Sequence, residues 1–281
     1  MTDDKPQGFE ELDKERTEPD PTPAGAAVSD ELGDLRARAR EVTRAPVCVT
    51  VSAYALGKRL GLERGMRELE RQIQAPDRES IPAARCIGRL RRLVDLMVRA
   101  DTGGTLLGQV RSRHAHEAWK LGAEVWISID DDVEATSATL RDLLEAVSGP
   151  KPRIVVAPCL VRGGEFGVPV VNVELPRIVS TERILTSGAL LRPIRRAGFC
   201  LVAMNRAALE QVREASAHLA YEDADGEERL ALFHDELRDG QWLSEDLAFF
   251  ARVPDSVTVE ALLTGHTSHA GQPLALQDVW Q

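Results

Sequence analysis

The acidic run Asp130-Asp131-Asp132 closes the apolar stretch Trp126-Ile127-Ser128-Ile129, so three carboxylates stand at the carboxyl end of a candidate strand. Open α/β sheets bind their ligands at that edge. Adjacent carboxylates repel one another unless a cation neutralises them, and a divalent metal removes that cost. In an extended turn Asp130 and Asp132 project to one side and Asp131 to the other. The same residues also suit a plain structural role, because carboxylates favour the positive end of a following helix and aspartate caps well. A second acidic pair, Glu245-Asp246, follows Ser244 at the start of an amphipathic segment about one hundred residues further on. First-turn acids behind a serine cap account for its position. A third feature is the glycine-flanked run Gly265-His266-Thr267-Ser268-His269-Ala270-Gly271. Its two imidazoles, three apart, either ligate a metal or stand inert at the surface.

The elements that must carry these residues are legible from periodicity and punctuation. Residues 47–52 (VCVTVS) form a β-rich run too short for a helix and read as the first, central strand. A basic helical region covers 56–74 and 82–92, a second strand candidate covers 93–100, and Asp101-Thr102-Gly103-Gly104 forces a loop. Residues 106–121 are helical, 124–129 form the strand that runs into the aspartates, 137–147 form a helix stopped by Ser148-Gly149-Pro150, and 153–157 form a strand. Strands alternating with helices predict an α/β domain with a mostly parallel central sheet flanked by helices. Past Pro158 the pattern loosens: 168–173 reads as a strand, 178–193 is ambiguous, and 198–205 is a strand ahead of a helix at 206–217. A polar interruption at 221–228, a helix at 243–252, a last strand at 257–263 and a tail from His266 complete the chain.

Composition bounds the rest. Residues 1–28 are rich in Asp, Glu, Pro and Thr and hold almost nothing to bury, so they are predicted disordered, with Ser29 capping a short charged helix over 30–44. The formal net charge of -10, to which that tail contributes, argues against a nucleic-acid partner. With aromatics at only 4% of residues, the core is expected to rest on Val, Leu, Ile and Ala. Cys48, Cys86, Cys159 and Cys200 form no CxxC or CxxH pair, which predicts buried free thiols rather than a zinc cluster. No apolar stretch approaches the ~20 residues of a membrane span and the N-terminus is acidic, so neither anchor nor signal peptide is expected and the cytoplasm is the expected compartment.

Taken in order, WISIDDDV, WLSEDLAFF and GHTSHAG resemble the motifs of glycosyltransferases of the GT-A fold, particularly family-two-like members, over about Pro46 to Gly271. That resemblance implies one GT-A-like (Rossmann-like) domain over 45–281, with a nucleotide-binding half at about 45–157 and an acceptor half at about 158–281. It implies Mn2+ or Mg2+, a nucleoside-diphosphate sugar as donor, and a hydroxyl-bearing acceptor that is a glycan, a small molecule or a protein. It makes Asp132 the direct metal ligand, with Asp130 on the ribose or the metal, Asp131 beside them, and His269 completing the shell with His266 as understudy. Ser52 and Ala53 would lie beside the nucleotide and Asp101 would contact the base. Arg111 or Arg113 would help to hold the nucleotide, and Ala197-Gly198-Phe199 would border the acceptor pocket. Asp246 becomes the general base of an inverting transfer, with Glu245 beside it. No QxxRW motif follows the Glu-Asp pair, which argues against the processive polysaccharide synthases. Two other classes remain open: a Mg2+-dependent phosphatase or phosphotransferase, though Val133-Glu134 stands where its usual threonine would be, and a non-catalytic nucleotide-sugar-binding module.

Overall fold

The computed structural model describes residues 47–52, 62–101, 107–159, 173–174, 182–223, 225–264, 266–269 and 272–275, with the backbone alone at 62, 266, 268, 269 and 272–275. The predicted tail and helix of 1–44, Ala53 and the Thr102-Gly103-Gly104 loop lie outside these residues.

Strand β1 (Val47–Ser52) is buried along its whole length. Helices α1 (Leu62–Gln74) and α2 (Pro82–Leu90) lead to β2 (Leu96–Asp101), and α3 (Leu107–Lys120) leads on to β3 (Val125–Asp130). Both β2 and β3 pair parallel with β1. A short strand β4 (Val133–Ala135), helix α4 (Ser137–Val147) and strand β5 (Arg153–Val156) follow. Thr136 caps α4 by accepting the Thr139 N–H.

In the second half come β6 (Val173–Glu174), β7 (Arg183–Ile184), β8 (Leu190–Pro193), β9 (Arg196–Ala197), β10 (Leu201–Asn205) and α5 (Arg206–Ala215). Two hairpins follow, β11 (Ala220–Glu222) with β12 (Glu228–Leu230) and β13 (Glu236–Arg238) with β14 (Gln241–Leu243). Helix α6 (Glu245–Arg252), β15 (Thr258–Leu262), β16 (His266–His269) and β17 (Gln272–Ala275) end the described chain.

Among the described residues the main sheet has eight strands in the order β2-β1-β3-β10-β5-β15-β8-β7. The β1–β2, β1–β3 and β5–β15 pairs are parallel, and the pairs that β8 and β10 make are antiparallel. Six strands therefore run one way and two the other, so the sheet is mostly parallel in direction and mixed in pairing. A reversed strand placed between two forward ones turns both of its ladders antiparallel, and residue type does not encode direction.

Side-chain alternation splits the core into two layers. Val47, Val49, Val51, Ile127 and Ile129 face α1, α2 and α4. Cys48, Trp126, Ile154 and Met204 face α3, α5 and α6. The sheet is thus covered on both faces, as an α/β domain requires. Three of the four cysteines are fully buried and all four are free thiols.

Several boundaries differ from expectation for local reasons. Leu93 turns back to bond the Leu90 carbonyl, so β2 begins at Leu96. The ambiguous 178–193 stretch holds the β7–β8 hairpin, whose turn uses Gly188 at φ +82°. The polar interruption at 221–228 joins β11 to β12.

Candidate active site

At the carboxyl ends of β1, β2 and β3 the register aligns three residues selected from the sequence. Ser52 is the Cα partner of both Asp101 on β2 and Asp130 on β3. Alternation turns Asp130 to the same face as Trp126, the face covered by α3 and α6.

Arg111 reaches Asp130 there from α3. Its side chain is 2% exposed. Nη2 donates to both Asp130 oxygens at 3.0 Å and to the Phe199 carbonyl at 3.4 Å. Nη1 donates to Glu245 at 3.3 Å and to Asp246 Oδ1. The other Asp246 oxygen accepts the Phe199 backbone N–H at 3.0 Å, so both oxygens of that carboxylate are engaged. One planar guanidinium thus joins the end of β3 to the first turn of α6. With all three carboxylates ionised the cluster carries two negative charges in excess.

Packing sets the approach of the helices. A Cβ on Gly108 would stand 2.4 Å from the Phe233 carbonyl oxygen and 3.3 Å from Glu245 Cβ, so glycine lets α3 close on α6. Beneath the cluster, four of the chain's six phenylalanines gather against Trp126. Phe233 stacks on Phe249 at 4.5 Å, and Phe199 meets Phe233 edge-on at 4.7 Å. Five of the chain's twelve aromatic residues are gathered under the site.

The electrostatics follow from burial. Desolvation pushes the Asp130 carboxyl up to about 6 against the pull of Arg111, with the Asp246 and Asp132 charges adding to the rise. Burial and then Asp246 raise Glu245. Burial works against the charged form of Arg111, but Asp130 and Asp246 more than compensate and hold it cationic. Burial drives His114, on the same helix, down to about 4, and its Nδ1 has no hydrogen-bond partner among the described residues.

No protein-family model and no curated protein matches the sequence. Solved structures similar to the chain include A197 from STIV, at 11% identity over 80% of this chain and 85% of that one, with a TM-score of 0.40. GalNAc-T7 with UDP, GalNAc and Mn2+ is similar at 13% identity over 80% of this chain and 44% of that one, with a TM-score of 0.39. S. aureus TarS 1-349 with UDP-GlcNAc is similar at 16% identity over 77% of this chain and 56% of that one, with a TM-score of 0.35. Likenesses of this strength identify no family.

The remaining expected site residues divide into those brought to the cluster and those held apart. Arg113 turns outward and donates to Asp101 at 2.6 Å. The Asp131 carbonyl accepts the Ala83 N–H at 3.4 Å, tying the aspartate turn to the start of α2. Glu134 binds Arg85 at 2.7 Å and Arg89 at 2.6 Å, which fixes β4 on the same helix. Strand β16 pairs antiparallel with β4, setting His269 opposite Val133, the residue after Asp132. The side chains of His266 and His269 lie outside the described residues, as do Gly265, Ala270 and Gly271.

Among the described residues no three His, Cys, Asp or Glu side chains form a metal-holding group. The cluster carries a negative excess with Asp132 beside it, and the backbone pairing of β16 with β4 sets position 269 opposite Val133. Asp130 fits less well as a direct ligand, because both of its oxygens already accept from Arg111.

Beside the cluster a cleft of about 1000 Å³ opens between the start of α3 and the segment from β11 to α6, with Arg113 and Glu245 on its walls. The sequence reading missed Gly108 and the 221–235 wall. A glycine inside a helical pattern was the available signal for the first, and no motif marks the second. No helix among the described residues is long and apolar enough to cross a membrane.

Proposed function

We propose that this chain transfers a sugar from a nucleoside-diphosphate sugar to an acceptor hydroxyl with inversion, in a reaction that depends on Mn2+ or Mg2+. One observation carries the reading: Arg111 gathers the aspartate turn and the Glu245-Asp246 pair into a single buried ion-pair cluster. In this reading the donor lies across the ends of β1 to β3. Ser52 Oγ is buried there without a hydrogen-bond partner among the described residues, which supports a polar ligand at that point. Asp132 and His269 would hold the cation, and Asp130, oriented by Arg111, would meet the ribose. Bound there, the cation would neutralise charge developing on the leaving diphosphate.

The acceptor oxygen attacks the anomeric carbon on the face opposite the diphosphate. The new C–O bond forms as the bond to the diphosphate oxygen breaks, and the hydroxyl proton passes to a carboxylate. The motif resemblance assigns that proton to Asp246. A second reading gives it to Glu245, and is favoured because both Asp246 oxygens are engaged whereas Glu245 lines the cleft and, among the described residues, accepts one side-chain hydrogen bond, at 3.3 Å.

Melting curves with uridine, guanosine and cytidine diphospho-sugars test the donor. One of them is expected to stabilise the chain only with Mn2+, and Asp132→Ala is expected to abolish that gain. Asp246→Asn and Glu245→Gln are both expected to keep the stabilisation, and the base is the residue whose loss lowers transfer by roughly 10²–10⁴-fold. Full transfer in both variants would remove the acidic pair from the mechanism.

A further inference from the structure

We propose that Cys159 and Cys200 form a thiol-oxidation site, at which a peroxide joins the two sulfurs and the resulting disulfide distorts the acidic cluster. The chemistry of the pair stands by itself, and its effect on transfer rests on the function proposed above.

The two thiols meet because β5 and β10 lie side by side. Their ladder is antiparallel, with Val156 opposite Val202, and it continues to the Ala157 N–H, which donates to the Leu201 carbonyl at 3.0 Å. Cys159 stands two residues beyond Ala157 on one segment, and Cys200 immediately precedes Leu201 on the other. Cys159 is fully buried, donates from Sγ to the Ala157 carbonyl at 3.5 Å, and belongs to the core layer against which Cys200 packs. The two thiols are hydrogen-bonded to each other. That contact and then burial hold the Cys200 thiol well above its ordinary value, so at neutral pH the pair persists as thiols and yields only to an oxidant in excess. Cys86 instead bonds the backbone of β4, at Val133 and Ala135.

The surroundings of Cys200 connect the pair to the site. Its carbonyl accepts the Asp130 N–H at 2.9 Å. The carbonyl of Phe199, the residue before it, accepts from Arg111 at 3.4 Å, and the Phe199 N–H donates to Asp246 at 3.0 Å. Two consecutive residues thus supply the backbone that links the aspartate turn, Arg111 and the acidic helix. A covalent S–S bond is much shorter than a thiol hydrogen bond, so forming it pulls Cys200 toward Cys159. The pull reaches Asp130, Arg111 and Asp246 through those three hydrogen bonds.

The reaction balances with the peroxide as the sole co-reactant. Cys200, the partly exposed member, attacks one peroxide oxygen; the O–O bond breaks, the other oxygen leaves as water with the thiol proton, and a sulfenic acid remains. The Cys159 sulfur then attacks the sulfenic sulfur, the S–O bond breaks, and the hydroxyl leaves as water with the Cys159 proton. The two thiols lose two electrons and the peroxide gains them.

Hydrogen peroxide applied to the full chain, followed by peptide mapping, is expected to show a disulfide between Cys159 and Cys200, and dithiothreitol to reverse it. Transfer by the oxidised chain is expected to fall about 100-fold, the loss that a displacement of about 1 Å can cause, and to return on reduction. Cys159→Ser and Cys200→Ser are each expected to form no disulfide and to keep transfer in peroxide; melting curves establish that they are folded. A bond to Cys48 or Cys86, oxidation that stops at a single sulfur, undiminished transfer once the bond has formed, or equal losses in the unaltered and Cys159→Ser chains overturns the proposal. The two readings fail separately. A reduced chain that transfers but forms no Cys159–Cys200 bond removes the oxidation site alone; a chain that forms the bond but transfers from no donor when reduced removes the transfer reading and leaves the oxidation site standing.

Discussion

The centre of the acidic cluster and its rim meet negative charge with the same residue type, two positions apart on one helix, to different effect. Arg111 is sealed from water and serves three carboxylates, whereas Arg113 is 46% exposed and serves Asp101. Two positions on a helix lie roughly 200° apart, so the helix must offer one arginine to the sheet and the other outward. Away from water, removing one partner of an ion-pair network leaves the others uncompensated. At the surface, water and salt stand in for a lost partner. The role of each arginine is therefore set by the depth at which its helix packs, with Gly108 controlling that depth.

Arg111→Gln is the strongest challenge to this contrast. It is expected to cost about 3–5 kcal/mol in urea unfolding and to abolish transfer, because three carboxylates would share the site without a cation. Arg111→Lys is expected to recover folding better than transfer, since an ammonium keeps the charge but loses the planar fork.

His114 probes burial on the same helix through pH. Its folded value of about 4 lies below the ordinary 6.5, so the unfolded chain binds the extra proton between those values. Stability is then complete above about pH 6.5 and falls as pH drops toward 4, by about 3 kcal/mol for this group. His114→Asn is expected to flatten that part of the stability profile, and an unaltered slope would show that the ring is not held neutral by burial.

Gly108→Ala should cost about 1–3 kcal/mol, because the methyl group must displace the Phe233 backbone. It should also weaken transfer by moving α3 from α6. The smallest effect belongs to Arg113→Gln, expected to cost under about 1 kcal/mol and to diminish further in salt. Equal losses at positions 111 and 113 would erase the distinction between centre and rim.

Legibility in the sequence followed the same boundary. Strands β1, β3, β5, β10 and β15 and helix α4 could be read because runs buried on both faces, with Gly or Pro stops, leave little choice of structure. The convergence of the two acidic motifs could be anticipated, but not that the Arg111 guanidinium joins them, because spacing along a chain does not reveal which basic residue reaches both. The β13–β14 hairpin was announced by Asp239-Gly240, whose φ values of 52° and 75° suit a tight two-residue turn, but it was passed over for want of a long strand on either side. The small sheets of the second half escaped because strands of two or three residues carry no period to detect.

The pairing of β16 with β4 has a temporal meaning. The aspartate turn receives its neighbouring strand from a segment well over one hundred residues later in the chain. As synthesis proceeds from the N-terminus, the sheet can assemble around β1 and β3 while this turn still lacks its partner. That edge of the sheet is thereby among the last parts of the fold to be completed, after every strand of the eight-stranded sheet has been synthesised.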